Sequence, residues 1–357
     1  RVQRREDPQQ VPKRTDGSDA LFVVDATWGK ISPIQLAPGI RWLRKPLPFA
    51  LDHINLWLVE EGTGWTLVDT GLGNRATRDL WKSSFDTALN GRPISRIVVT
   101  HYHPDHAGNA AWLSERFNAP LWMTRGEFLT VHSVLHGVAS FSAAASSALF
   151  RANGMEPAAA AALNARGDLY SKLVPKFPAQ HRRLMEGAIV NLGGQDWRVI
   201  IGYGHAPEHA SLYCERLNVL ISGDMLLPRI STNVAVRPID PMADPLGQFL
   251  KSIRRYLELP ADVLVLPSHG MPFRGAHARV AQLEAHHAER LDALVKACAG
   301  TPKSAADLLE VLFRRKLDSS QIFFAMGEAI AHVHNLLYAG RLHRSVDAYG
   351  VARFSAS

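Results

Sequence analysis

The stretch His101-Tyr102-His103-Pro104-Asp105-His106 decides the fold of this 357-residue chain. It begins at the end of residues 94–100, Ile-Ser-Arg-Ile-Val-Val-Thr, which predict a strand. His101 and His103 are two residues apart, and such residues point the same way in an extended chain, so both imidazoles can reach one cation. Asp105 and His106 follow on the turn and can face a second point close by. Histidine nitrogen and carboxylate oxygen suit zinc, and also iron or manganese.

Three later segments repeat this pattern of a potential ligand at the end of a predicted strand. They are Gly204-His205-Ala206-Pro207-Glu208-His209, Ser222-Gly223-Asp224 and Pro267-Ser268-His269-Gly270. Rigid strands hold ligands while loops close over them, as a site at one edge of a sheet requires. The chain contains 16 histidines, so each segment alone could be a coincidence. As an ordered series after the first cluster, they predict one metal site.

The order H-x-H-x-D-H, then His205, then Asp224 after glycine, then His269 before glycine, resembles the metallo-β-lactamase superfamily. Asp69-Thr70-Gly71, at the end of another predicted strand, matches the first motif of that superfamily. The resemblance extends from about residue 50 to residue 272. It implies an α+β fold, the αββα metallo-β-lactamase sandwich, with the site along one edge of two packed sheets.

The resemblance also implies a role for each ligand. His101, His103 and His205 would hold one metal ion, Asp105, His106 and His269 would hold a second, and Asp224 would bridge the two. Two divalent ions per chain, zinc before iron or manganese, would share a hydroxide that attacks an electrophilic carbon. Asp105 and Asp224 are therefore the predicted catalytic residues. Asp69 is expected to fix the ligand loop, although a strand-end Asp that caps a turn would have nearly the same geometry.

Four further residues are candidates for contacts with the substrate or with the ligands. They are His53, Tyr203, Arg229 and Asn233. His53 precedes a predicted strand, Tyr203 flanks a ligand, and the other two lie in the segment after Asp224. Arg229 could bind an anionic group. For each of the four, an ordinary surface position is the alternative.

The pattern of the chain predicts three parts. Residues 1–19 form a loose arm, residues 20–298 the catalytic domain, and residues 299–357 a small C-terminal domain that resembles the winged-helix tail of some bacterial superfamily members. Within the catalytic domain, residues 125–187 are rich in alanine and in helical spacing, which predicts a helical insertion or lid. Strands are predicted at residues 54–61, 65–69, 94–100, 196–201, 219–222 and 262–266. The tail is expected to contain helices at 303–313 and 328–339 and a hairpin at 341–353.

Composition narrows the class of protein. Hydrophobic residues make up 46% and charged residues 20% of the chain, which is typical of a globular protein. The net charge of +7 is scattered, so we expect a small-molecule substrate and no nucleic-acid or membrane partner. A homodimer is left open. Cys214 and Cys298 predict no disulfide framework, which favours the cytoplasm, while the start at Arg1 leaves a removed signal peptide open.

The branch of the superfamily bears on the reaction. True zinc β-lactamases commonly carry Arg in place of His106 and Cys in place of Asp224, so the chain resembles the glyoxalase-II, lactonase and thioesterase branches more closely. The leading hypothesis is hydrolysis of a thioester, lactone or carboxylic ester with a hydrophobic acyl or aromatic group. The alternatives are a phosphodiesterase or nuclease of the same fold, and a mono-iron sulfur dioxygenase that uses only three of these ligands.

Overall fold

The computed structural model describes residues 21–22, 34–48, 51–165, 167–313 and 315–357. The arm predicted at residues 1–19 lies outside the described residues. In chain order the strands are β1 (Leu21–Phe22), β2 (Ile34–Ala37), β3 (Ile40–Pro46), β4 (His53–Glu61), β5 (Gly64–Val68), β6 (Ile94–Val98), β7 (Leu121–Thr124), β8 (Arg182–Leu184), β9 (Ile189–Leu192), β10 (Gln195–Gly202), β11 (His209–Cys214), β12 (Val219–Gly223), β13 (Leu264–Pro267), β14 (Phe273–Arg274), β15 (Leu342–Val346) and β16 (Ala352–Ala356). The helices are α1 (Arg75–Thr87), α2 (Pro104–Ala107), α3 (Ala110–Phe117), α4 (Arg125–Leu135), α5 (Ala143–Ala152), α6 (Pro157–Ala165), α7 (Tyr170–Leu173), α8 (Pro245–Arg254), α9 (Ala276–Ala297), α10 (Leu309–Leu312) and α11 (Ser319–Tyr338).

Two seven-stranded sheets form the centre of the molecule. The first has the order β2-β3-β4-β5-β6-β7-β8 and the second the order β1-β14-β13-β12-β11-β10-β9. Each sheet contains neighbouring parallel strands, namely β5 to β8 in the first and β12 with β13 in the second. Parallel strands end at the same edge of a sheet, so the loops that follow them are brought together.

Three apolar layers explain why the sheets pack in this way. Between the sheets, Trp57 and Trp197 are fully buried with aliphatic side chains of both sheets. Outside the first sheet, α1 and α3 cover Leu67 and Ile97, and outside the second sheet helices α8, α9 and α11 share a cluster with β-strand side chains. The observed order of layers is helix, sheet, sheet, helix, which confirms the predicted αββα sandwich.

The helical insertion predicted at residues 125–187 is confirmed for most of its length, with one correction. Helices α4 to α7 occupy it, but β8 at its end pairs in parallel with β7 as the edge strand of the first sheet. Its sequence, Arg-Arg-Leu, has no apolar alternation, and an edge strand pairs through its backbone. The sequence of β8 therefore does not predict a strand.

In the C-terminal region, one predicted helix is much shorter in the structure than predicted. Of residues 303–313 only α10 is helical, because Ser304 and Asp307 each accept a hydrogen bond from the backbone N–H of the other and so hold a turn. Helix α11 is longer than predicted, and the hairpin of β15 and β16 is present. The domain boundaries and the winged-helix assignment stay predictions.

Two further observations complete the fold. Both cysteines, Cys214 and Cys298, are free and buried, as their positions outside the motifs predicted. In the part of the chain that the structure describes, no helix combines the length and the apolar character that crossing a bilayer requires.

Candidate metal centre

The potential ligands meet where strands of both sheets end. His101 to His106 follow β6 of the first sheet, while Asp224 and His269 follow the parallel strands β12 and β13 of the second. His205 follows β10 of the second sheet. The edge of the sandwich therefore collects side chains that are more than 150 residues apart in the sequence, as the spacing of the motifs predicted.

One group of ligand atoms contains three histidines and a carboxylate. His101 Nε2 lies 2.8 Å from His103 Nδ1 and 3.2 Å from His205 Nε2. Asp224 Oδ2 lies 3.4 Å from His205 Nε2. All four ligand atoms lie within 4.8 Å of one another, so one cation could contact all of them.

A second group lies on the other side of Asp224. His269 Nε2 is 3.4 Å from Asp105 Oδ2, and His106 Nε2 is 3.6 Å from the same oxygen. Asp224 Oδ1 is 3.5 Å from His106 Nε2 and 3.4 Å from His269 Nε2. The two oxygens of Asp224 therefore face different ligand groups, which is the geometry that a bridging carboxylate needs.

The buried polar atoms of this cluster fit a cation. His106 Nε2 and Asp224 Oδ1 are buried and have no hydrogen-bond partner, although buried polar atoms nearly always have one. Both atoms point into the cluster. Neutral imidazole nitrogen and carboxylate oxygen are the donors that zinc and other divalent transition metals prefer. The side chains present therefore fit a metal site, and the identity of the metal stays a prediction.

The protonation of the first histidine group favours metal binding. Burial lowers the pKa of His101 well below its usual value, and the neighbouring histidines add to the effect. Burial likewise lowers the pKa of His103, with smaller contributions from His205 and Arg237. Both imidazoles are neutral at physiological pH, and a neutral imidazole is the form that binds a metal ion.

In the second group, histidines and carboxylates shift one another's pKa. Burial alone would lower the pKa of His269, but Asp224 and Asp105 outweigh it and raise that pKa to about 10. Burial opposes ionisation of Asp105, but His106 and His269 lower the pKa of this carboxyl to about 2. A divalent ion bound to His269 would displace its imidazole proton, so metal binding would release it.

The carboxylate of Asp69 lies against the ligand His106. One carboxylate oxygen accepts a hydrogen bond from His106 Nδ1 at 2.8 Å, and the other accepts one from the backbone N–H of Thr100 at 2.8 Å. Since Nδ1 carries the proton, Nε2 of His106 keeps its lone pair toward the cluster. Asp69 has a φ of 62°, a left-handed conformation that Asp adopts more readily than most residues.

Two of the four residues predicted to contact the substrate or the ligands, His53 and Asn233, orient ligands through their backbone carbonyls. The carbonyl of His53 accepts a hydrogen bond from His269 Nδ1 at 2.8 Å, and its side-chain Nε2 accepts one from the N–H of Gly270 at 3.0 Å. The carbonyl of Asn233 accepts a hydrogen bond from His205 Nδ1 at 2.7 Å. In both ligands, His269 and His205, the free Nε2 is therefore directed at the cluster.

The other two candidates are not brought into the cluster. The side chain of Tyr203 is 43% exposed, and its backbone N–H donates a hydrogen bond to Ser252. Arg229 is exposed at the surface. On the helical insertion, the apolar side chains of Phe128 and Val131 belong to the core that covers the first sheet.

His209 and Glu127 support the centre, but the sequence reasoning assigned neither. His209 Nε2 accepts the backbone N–H of Asp224 at 3.1 Å. A Cβ at Gly223 would lie 2.3 Å from that nitrogen, so only glycine permits the contact. Glu127 is fully buried and accepts the N–H of Tyr102 at 2.9 Å and that of Glu208 at 2.6 Å. His209 belongs to the histidine-containing motif of residues 204–209, whereas nothing in the sequence distinguishes Glu127 from an ordinary helical glutamate.

The charge of Arg237 acts on the first ligand group. Its guanidinium stands 5.6 Å from the ring centroid of Phe323, and its charge reaches both His103 and Tyr102. Among the described residues, no carboxylate lies within ion-pair distance of it. Arg237 is thus a half-buried cation, available to a negatively charged group.

Comparisons with known proteins agree with this geometry. The profile described as "Metallo-beta-lactamase superfamily" matches residues 50–269, which include all seven predicted ligands. The chain belongs to the metallo-beta-lactamase superfamily. A second profile, "Metallo-beta-lactamase-like, C-terminal domain", matches residues 291–357. The C-terminal region is thus a recognised companion of this superfamily fold.

Solved structures and curated relatives are consistent with this assignment. A beta-lactamase domain protein from Burkholderia ambifaria is 46% identical, with a TM-score of 0.88 over 95% of this chain and 98% of that chain. A metallo-beta-lactamase family protein from Thermus thermophilus is 30% identical, with a TM-score of 0.76 over 90% of this chain and 100% of the other. The probable metallo-hydrolase YqjP of Bacillus subtilis is 25% identical over 82% of this chain and 90% of its own length. The acyl-coenzyme A thioesterase MBLAC2 of Gallus gallus is 26% identical over 54% of this chain and 64% of its own length.

Proposed function

We propose that the protein is a metal-dependent hydrolase of an ester-like bond, with a thioester as the favoured substrate class over a lactone or a carboxylic ester. The placement of Asp224 carries this proposal. Its two oxygens face two separate histidine-containing groups at 3.4–3.5 Å. A single carboxylate between two ligand groups is suited to hold two divalent ions, and we expect zinc.

The residues of the centre would divide the work of hydrolysis. Two bound divalent ions would lower the pKa of a shared water and stabilise negative charge that develops on the substrate. Asp105 is ionised at neutral pH and its side chain is 17% exposed, so it can accept a hydrogen bond from the attacking water. The Asp69 carboxylate and the backbone carbonyls of His53 and Asn233 accept hydrogen bonds from the ligand imidazoles and so keep the ligand nitrogens in place, which lowers the reorganisation that the reaction requires.

Two observations favour a thioester with an anionic carrier. MBLAC2, which the chain resembles over about half its length, is named as an acyl-coenzyme A thioesterase. Arg237 is a half-buried cation whose charge contributes to the lowered pKa of His103, and guanidinium groups pair well with phosphate. A coenzyme A thioester carries phosphates that such a residue could bind.

A substrate panel on protein of known metal content tests the proposal. Elemental analysis would report the number and kind of ions per chain, and the panel would contain acyl-coenzyme A thioesters, lactones, p-nitrophenyl esters and bis-p-nitrophenyl phosphate. We expect about two zinc ions per chain and the highest kcat/KM for thioesters. Preference for the phosphodiester would refute ester hydrolysis. A single iron per chain with consumption of oxygen would refute hydrolysis itself.

A further inference from the structure

Tyr102 lies between two proposed ligands, His101 and His103, and the helical insertion holds both of its backbone polar groups. Glu127 Oε2 in α4 accepts the N–H of Tyr102 at 2.9 Å. The Tyr170 hydroxyl in α7 donates to the Tyr102 carbonyl at 2.5 Å. Because the N–H and the carbonyl are both fixed, the backbone here cannot turn freely, and these bonds help to set the direction of the two flanking imidazoles.

The carboxylate of Glu127 also holds a second ligand loop. Its Oε1 accepts the backbone N–H of Glu208 at 2.6 Å, and Glu208 closely follows the proposed ligand His205 in the sequence. His101 and His205 are 104 residues apart, yet their Nε2 atoms lie 3.2 Å from each other. One side chain therefore bridges the two loops whose separation sets the size of the first ligand group.

The start of helix α4 makes two further contacts with the second loop. The Thr124 hydroxyl donates to the Glu208 carbonyl at 2.8 Å, and Glu208 Oε2 accepts the N–H of Gly126 at 2.8 Å. A Cβ at Gly126 would lie 2.9 Å from the carboxyl carbon of Glu208, so the helix and the loop are in close contact. Hydrogen bonds run in both directions between them, which fixes the loop relative to the helix.

The position of Glu127 is unfavourable for a carboxyl group. The side chain is fully buried, and burial raises its pKa to about 8, although the two backbone N–H groups lower it. A buried polar group destabilises a fold unless hydrogen bonds compensate. Both compensating bonds go to the loops that carry ligands, so the contribution of this side chain lies in holding those loops together.

We propose that Glu127 is a positioning residue for the first ligand group, because its carboxylate ties the loop of His101 and His103 to the loop of His205. Helix α4 of the insertion is thereby part of the metal centre. Glu127 acts through two backbone N–H groups and not as a ligand. Without its acceptors the two loops could move apart, and the three imidazoles would no longer converge on one point. This role rests on the proposed function, because it presupposes a bound metal, but its test needs no substrate.

Two full-length variants remove the acceptors in steps. Glu127→Gln keeps the size of the side chain but offers one oxygen, so its NH2 group faces one of the two N–H donors. Glu127→Met keeps an unbranched side chain and removes both acceptors. The matched control is Glu115→Gln in α3, which removes the exposed ion pair with Lys176 of the insertion. That pair also joins the insertion to the rest of the catalytic domain, but at a place outside both ligand loops.

Zinc affinity, measured by competition with a chromophoric chelator, and the visible absorption spectrum of the cobalt-substituted protein are the readouts. We expect Glu127→Gln to lower the affinity of the first site about tenfold and Glu127→Met to lower it further, by up to about 100-fold. Both variants should change the cobalt spectrum, and Glu115→Gln should match the wild type. A merely structural role for Glu127 would lower the unfolding temperature of the metal-free protein without moving either readout.

Wild-type affinity and an unchanged cobalt spectrum in both variants of Glu127 would overturn the proposal, whatever their unfolding temperatures. Should Glu127→Met fail to fold, Glu127→Gln alone decides the matter, because it keeps the volume of the side chain and one acceptor. A wild-type protein that binds zinc but cleaves no ester would refute the proposed function and leave this result standing. The two failures are therefore distinguishable.

Discussion

Replacement of Asp69 by Asn should weaken the second ligand group selectively. In the structure the two oxygens of Asp69 accept from His106 Nδ1 and from the N–H of Thr100, both at 2.8 Å. Asparagine offers one oxygen, so in either orientation its NH2 group faces one of these donors. Because Asn tolerates the left-handed φ of 62° at this position, the backbone need not change, and the substitution isolates the lost carboxylate.

The size of the effect follows from the bond that is lost. A hydrogen bond to a charged group contributes about 1.5–3 kcal/mol, which corresponds to a roughly 10- to 100-fold change in metal affinity. Supporting residues around metal ligands have effects of about this size. Without its acceptor, His106 no longer keeps its proton on Nδ1, and a larger fraction carries it on Nε2, where it blocks the cation.

Elemental analysis after dialysis and a chelator competition are the assays. Metal content should fall toward about one ion per chain, because the group of His101, His103, His205 and Asp224 keeps its ligands. Asp79→Asn on helix α1, where Asp79 pairs with Lys82 at 2.8 Å, is the matched control and should behave as the wild type. Unchanged affinity and content in Asp69→Asn would refute the assigned role of the carboxylate.

Three further outcomes are expected. Asp224→Asn should lower the content of both ions and reduce kcat/KM at least about 100-fold; full activity in this variant would exclude a bridging carboxylate. The carboxylates of Asp224 and Asp105 raise the pKa of His269 to about 10 despite its burial. At any lower pH, a cation that binds His269 must therefore displace its proton. Zinc affinity should therefore rise about tenfold per pH unit for each proton released between pH 6 and 8, and a flat profile would contradict this. Arg237→Gln should raise KM for a coenzyme A thioester about tenfold with kcat and the hydrolysis of neutral p-nitrophenyl esters unchanged, and an equal effect on both substrates would argue against an anion contact.

The strands that carry ligands were predictable because their signals are local. The runs before His101 and Asp224 are apolar and short, and each ends in glycine or in a chemically distinctive cluster. Inner strands such as β4 are buried along nearly their whole length. A continuous apolar run, such as residues 56–59 in β4, predicts this burial. Strands β8 and β9 lie at sheet edges and have mixed or polar sequences, so pairing with a neighbour, and not their own pattern, makes them strands.

The residues that support the metal ligands differ in how well the sequence predicts them. Asp69 belongs to a recognisable motif, and its role was predicted. Glu127 lies in a helix with an ordinary helical sequence, where the sequence does not distinguish a buried glutamate from an exposed one. Asn233 was included only for its nearness to Asp224 in the sequence, and the atom that matters is its backbone carbonyl, which every residue possesses.

The sequence by itself determined the superfamily and the layered fold and predicted the candidate ligands, because residue type, spacing and strand-end position are properties of short segments. Only the tertiary structure decided which oxygen of Asp224 faces which group, and that the backbone carbonyl of Asn233 orients His205. Such contacts form between residues that are distant in the sequence, and some of them are made by backbone atoms, which every residue has. The physical reason is that burial and direction arise only when the sheets and helices pack, and neither is encoded in a local pattern.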